Sequence, residues 1–135
     1  MKFKFLPHTA DIKFQAYGKN LEEVFENSAS AMISQIFSSK VKEKKKKKFE
    51  VSGKDLESLM YNFLEEFLYL IDAEKFIYGK VKVKISKDRK NLKAEVYGDD
   101  VKNYKTEMSI KAVTYNDMFV KKIKNQWIAQ VVLDV

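Results

Sequence analysis

Trp127-Ile128-Ala129-Gln130-Val131-Val132-Leu133-Asp134-Val135 closes the sequence, and its pattern governs how the rest is read. Residues alternate from Trp127 and then turn wholly apolar at Val131, Val132 and Leu133, the pattern of a strand buried on both faces. Chain ends normally fray. Here a buried strand runs straight into Asp134 and into Val135, which brings a main-chain carboxylate and an apolar anchor together. Negative groups held that close repel unless a cation or a basic residue compensates.

Working back toward the start, Phe3 and Phe5 alternate with lysines up to Pro7, and Ile12, Phe14 and Ala16 alternate up to Gly18, which predicts two short strands. Asn20 with Glu23 three residues on reads as a capping box, and Leu21, Val24, Phe25, Ser28, Met32 and Ile36 continue at helical spacing to about Phe37. Val41 to Ser52 suits a strand or strand pair around a lysine cluster. Asp55 then caps a second helix, whose stripe from Leu56 through Phe63, Leu64, Phe67 and Leu68 to Ile71 is wider than a surface helix needs. Phe76–Ile85 and Leu92–Gly98 read as a hairpin turning around residues 88–91, followed by a polar loop to Thr106. Strands are expected over 108–115, 118–124 and 127–135, with turns at Asn116-Asp117 and Asn125. The expected fold is a single α+β domain over residues 1–135: a two-layer sandwich with two helices on one face of a mixed, mostly antiparallel sheet.

A chain of 135 residues, 45% hydrophobic, can bury its own core. The absence of cysteine excludes a disulfide framework, thiol catalysis and thiolate metal sites. With no signal-peptide pattern at the start and no apolar run of membrane-spanning length, a cytoplasmic protein with no membrane partner is expected. The net charge is +7, yet Lys40 to Lys54 alone carries +6 from eight lysines and two glutamates. A phosphate-tracking face spreads its charge over several elements, and only Arg89 among the 26 basic residues has the guanidinium fork suited to base and phosphate recognition. The run Lys44–Lys48 is therefore read as a solvated loop or a guard on a strand edge.

Few residues carry chemistry. Asp11 follows a turn and alone reads as a turn carboxylate, and His8, the sole histidine, has no second histidine with which to share a metal. The isolated glycines exclude a phosphate-cradling loop. Asp99 and Asp100 read as turn residues able to extend an acidic site, and Lys111 as an outward strand lysine or one aimed at phosphate. If Asp11 meets Asp134 and Val135, three carboxylates make a hard-cation site.

The segments His8-Thr9-Ala10-Asp11-Ile12, Leu59-Met60-Tyr61-Asn62-Phe63-Leu64-Glu65-Glu66-Phe67-Leu68, Lys111-Ala112-Val113-Thr114-Tyr115 and Leu133-Asp134-Val135 together resemble the archease family, in order and along the whole chain. The resemblance implies a non-catalytic accessory protein of the tRNA-splicing ligase, which joins 3′-phosphate to 5′-hydroxyl RNA ends. It implies promotion of the guanylylation of the ligase histidine by GTP, and of multiple turnover, with GTP and tRNA halves met through the ligase. It also implies a divalent cation, calcium with magnesium or manganese as alternatives, held by Asp11, Asp134 and Val135, and a contribution to activity from Asp11 and Lys111. Where relatives have a Gly-Glu pair, a downstream His and a Glu before the lysine block, this chain has Gly98-Asp99, Tyr104 or Asn103, and Ser109. Two rival functions remain: a metal-dependent phosphoesterase or nuclease using Asp11 and Asp134, and a single-stranded RNA-binding module using Lys44–Lys48.

Overall fold

The computed structural model describes residues 1–7 and 11–135. Helix α1 spans Leu21–Ile36, where the Asn20 side chain accepts from the Glu23 N–H, while Glu23 reaches back to the N–H of Lys19. Helix α2, Leu56–Glu74, opens on a capping box in which Asp55 and Ser58 satisfy each other's N–H, and it ends at Lys75 in the left-handed conformation. Its wide stripe is buried, with Phe63, Leu64 and Met60 at 0% exposure. Phe63 packs edge-on to Phe25 of α1 at 5.6 Å and to Phe67 at 5.1 Å. Phe67 in turn meets Phe49 at 5.6 Å and Tyr78 at 5.2 Å, so one chain of rings ties both helices to the sheet beneath.

The strands divide between two sheets, both antiparallel, where one mixed sheet was expected. The first contains β1 (Phe3–Leu6), β2 (Ile12–Gly18), β7 (Gln126–Asp134) and β6 (Ala112–Ile123) in that order. The second holds β3 (Lys45–Ser52), β5 (Asn91–Asp100) and β4 (Phe76–Ile85) in that order. Each helix contacts both sheets. A sheet break is invisible to periodicity, which reports which face of a strand is apolar and not its neighbours. At Gly98, β4 presses so close that a Cβ would lie 1.8 Å from the carbonyl oxygen of Ile77.

A second correction concerns residues 108–124. Instead of two strands and a turn there is one strand, β6, whose register against β7 jumps between Thr114 and Phe119. Asn116-Asp117 lies within this bulge, with Asp117 at φ 54. The residue types that favour a turn also favour a bulge, which needs the same left-handed backbone. The bulge folds over β7: the Asp117 carbonyl accepts from Gln130 Nε2 at 2.8 Å, and its carboxylate lies 3.4 Å from Lys13 Nζ on β2 beyond. Gln130 and Val132 are buried between β2 and β6, so β7 is buried on both faces as read from the sequence.

Each sheet has one open edge satisfied by a helix carboxylate. Glu26 of α1 accepts from the N–H of Val83 on β4 at 3.0 Å, and Glu65 of α2 accepts from that of Val113 on β6 at 2.7 Å. Edge N–H groups left bare invite pairing with another chain, so these contacts seal the fold as well as tether the helices. Burial pushes the Glu26 carboxyl above its ordinary value of 4.5, against the bond from Val83 and with added repulsion from Glu23 and Glu22.

Two outcomes follow from this packing. Phe63→Ala is expected to cost about 3–5 kcal/mol in urea denaturation, the range for removing a buried ring. The folded state holds the Glu26 proton more tightly than the unfolded chain, so ionised Glu26 opposes folding above its folded pKa, and the opposition is relieved as pH falls toward 4.5. Glu26→Gln keeps the acceptor without the charge, so it should be more stable than wild type at neutral pH, the margin shrinking as denaturation is repeated at pH values falling to 4.5.

Candidate functional site

The site is built by pairing. The β2–β7 ladder runs from Gly18 opposite Trp127 to Ile12 opposite Leu133, and the next residues along are Asp11 and Asp134. On the other side of β7, Ala112 lies opposite Asp134, and the N–H of Lys111 donates to the Asp134 carbonyl at 2.8 Å. Three separated segments thus meet at one end of the four-stranded sheet. Leu133 is fully buried, Val135 is half-buried against the core, Asp11 is half-buried, and Asp134 and Lys111 are exposed. The strand holds its end because the apolar residues on both sides of it are sequestered, so the two carboxylates sit on rigid backbone.

The remaining block of the resemblance meets the Lys111 block on the flank of this end. Tyr61 and Tyr115 stack with ring centroids 4.4 Å apart and planes 7° off parallel. One turn further along α2, Glu65 takes the Val113 N–H. The i, i+4 spacing of Tyr61 and Glu65 puts both on one face of the helix, a polar signal within an apolar stripe that sequence reasoning passed over. They position the start of β6, and with it Lys111.

The other expected positions fall elsewhere. His8, Thr9 and Ala10 lie outside the described residues. Asp99 is buried and serves its own loop: it accepts from the Asp100 N–H at 2.8 Å, from Asn103 at 3.4 Å and from the Tyr104 hydroxyl at 2.9 Å. The Asp100 N–H, with the Tyr104 and Asn103 bonds, holds the Asp99 carboxyl below the usual range although burial works the other way. Tyr104 also takes the N–H of Lys42, so two of the positions that depart from the family pattern contact each other and fasten the segment leading into β3. Asp100 caps a short 3-10 turn over Val101–Asn103.

Among the described residues no three His, Asp or Glu side chains cluster to hold a metal. A cation at this end needs main-chain oxygen beside Asp11 and Asp134. The donor chemistry is all oxygen, which fits a hard cation and not zinc or copper. The larger concavities, about 580 Å³ beside Tyr17–Lys19 and about 610 Å³ along β3–β5–β4, are lined by none of Asp11, Lys111 and Asp134. An exposed end of this kind suits contact with a macromolecule better than enclosure of a small substrate.

Comparison with known proteins agrees with the geometry. Residues 3–135 match the model of the Archease protein family (MTH1598/TM1083). The protein archease of Pyrococcus abyssi is 43% identical over 134 residues, covering 95% of this chain and 94% of its own. That of Methanosarcina barkeri is 39% identical over 140 residues, covering 99% and 96%. The solution structure of Methanobacterium thermoautotrophicum protein 1598 superposes with a TM-score of 0.87 at 36% identity and 99% coverage of both chains. A crystal structure from Thermotoga maritima, described as an archease and possible chaperone, shares the fold with a TM-score of 0.67 at 20% identity over 98% of this chain and 96% of its own. The match over nearly the whole chain, with the paired ends of β2, β6 and β7 in place, makes this chain a member of the archease family.

Proposed function

We propose that this protein is a non-catalytic partner of a GTP-dependent RNA ligase that joins 3′-phosphate and 5′-hydroxyl ends, speeding guanylylation of the ligase histidine and sustaining turnover. One observation carries the reading: strand register gathers Asp11, Lys111, Asp134 and Val135 at one open end of the sheet. The ligase as client is our reading of the family resemblance. Among the described residues, the larger concavities lie away from Asp11, Lys111 and Asp134, which favours an element that completes another protein's site over one that works alone.

A divalent cation, calcium or in its place magnesium or manganese, would be held by Asp11, Asp134 and a main-chain oxygen of Val135, and would supply the charge that lets these oxygens sit together. The chain's own residues do the rest. Val135 anchors the end of β7 in the core, Glu65 and the Tyr61–Tyr115 stack hold the start of β6, and the Lys111 main chain is tied to Asp134. That leaves the exposed Lys111 side chain at the same end of the sheet as a compact positive charge, suited to meeting a phosphate oxygen at the ligase's nucleotide cleft.

The deciding assay is multiple-turnover ligation with the cognate ligase. Asp11→Ala, Asp134→Ala and a chain extended a few residues past Val135 should each lose most of the stimulation, roughly tenfold or more, and Lys111→Ala should lose it while still folding. Full stimulation by all of them would sink the terminal site. Cleavage of RNA by the purified protein alone would instead favour a phosphoesterase. Independently, millimolar calcium should raise the thermal midpoint of wild type, since a ligand of the folded state stabilises it, and should leave Asp134→Ala unmoved.

A further inference from the structure

The lysines of β3 look local along the chain, yet pairing gives them company. On the solvent side of the three-stranded sheet, Lys46 lies opposite Tyr97, which lies opposite Lys80. The next row across is Lys48, Glu95, Lys82, and the one after is Glu50, Lys93, Lys84. The other side of the same strands carries Phe49, Val51, Val81, Val83, Leu92, Ala94 and Val96 and faces the core. One face therefore shows six lysines against two glutamates, drawn from three strands. This is the spread over several elements that a linear count of charge could not display.

Two of the six are engaged. Lys46 pairs with Glu95 at 3.1 Å and sits 5.6 Å from the centre of the Tyr97 ring, and Lys93 lies 3.7 Å from Glu50. Lys48, Lys80, Lys82 and Lys84 are exposed and, among the described residues, lie within ion-pair distance of no carboxylate. Alternate residues on a strand recur about every 6.8 Å, so the three β4 lysines form a straight row of positive charge along the edge of the face.

We infer that this face binds the sugar-phosphate backbone of RNA, as a second contact surface separate from the end that carries Asp11 and Asp134. The chemistry favours a hydrated polyanion over an acidic protein. Protein interfaces are depleted of lysine and enriched in arginine and bare aromatic surface, whereas this face is charged by lysine throughout and its one ring is covered by Lys46. With no exposed ring for bases to stack on and no guanidinium fork, the contacts are to phosphate and indifferent to sequence. The inference deepens the ligase reading, on which the identity of the RNA client rests, by giving the protein its own hold on the RNA whose ends the ligase joins.

Fluorescence anisotropy of a labelled, unstructured oligoribonucleotide with the purified full chain tests it across a salt series. Wild type should bind at low salt with a log–log slope near −3, about 0.7 per neutralised phosphate for four lysines. Lys80→Gln/Lys82→Gln/Lys84→Gln should weaken binding at least tenfold and flatten the slope by about 2, while Lys121→Gln/Lys122→Gln on the other sheet should change neither. Guanylylation of the ligase without RNA separates this from the terminal site, because the triple variant should stimulate it as wild type does. No RNA binding by wild type, or an unchanged slope in the triple variant, overturns the inference. Loss of RNA-free guanylylation by the triple variant also overturns it and assigns the face to an acidic protein surface. If wild type fails to stimulate the ligase while the triple variant still loses RNA, the ligase reading falls and this one stands.

Discussion

Everything at the working end depends on the ladder between β2 and β7. Seven residue pairs, from Gly18 with Trp127 to Ile12 with Leu133, hold the start of the chain against its close. Because side chains alternate with a strict period of two, a slip of one residue would turn Phe14 and Ala16 out of the core and Lys13 and Gln15 into it. The buried partners Val131 and Leu133 forbid that slip. The ladder thus brings the segments that carry Asp11 and Asp134 to the same end of the sheet.

The second constraint is the way the helices close the sheets. Glu26 and Glu65 each extend a carboxylate to a strand edge, one per sheet, while the ring chain from Phe25 to Tyr78 packs beneath. A carboxylate accepting a backbone N–H is a stronger tie than a neutral pair, and each contact fixes helix to strand in register as well as in distance. At Glu65 that register has a use, since the strand it holds begins at Ala112, directly after Lys111.

What the sequence disclosed was what local backbone physics dictates. Asn20 and Asp55 announced helix starts, the stripe along α2 announced its depth, and Phe76 to Gly98 announced a hairpin, because caps, periods and turns act over a few residues. The both-face burial of β7 was legible too, but the contact across it from Asp117 to Lys13 was not. Partition into two sheets and the alignment of Lys48 with Lys82 depend on pairing between distant segments, about which no window of sequence speaks. At the site, Asp11, Lys111, Asp134 and Val135 were proposed as a set through family resemblance, and strand register brings their segments to the same end of one sheet. Glu65 and Tyr61 escaped notice because a carboxylate and a phenol in an apolar stripe look like ordinary interruptions until the strand they hold is known.

The placement of β7 has a consequence for how the molecule is made. It is an interior strand of its sheet and yet follows every other element along the chain. During synthesis the helices and the β3–β5–β4 sheet can assemble as they emerge, but β2 and β6 must wait with open edges for the strand that bridges them. A polypeptide that stops short of β7 is left with unpaired strands, which are sticky and readily captured by chaperones or proteases. Asp11, Lys111 and Asp134 are therefore brought together only once β7 has paired with both β2 and β6.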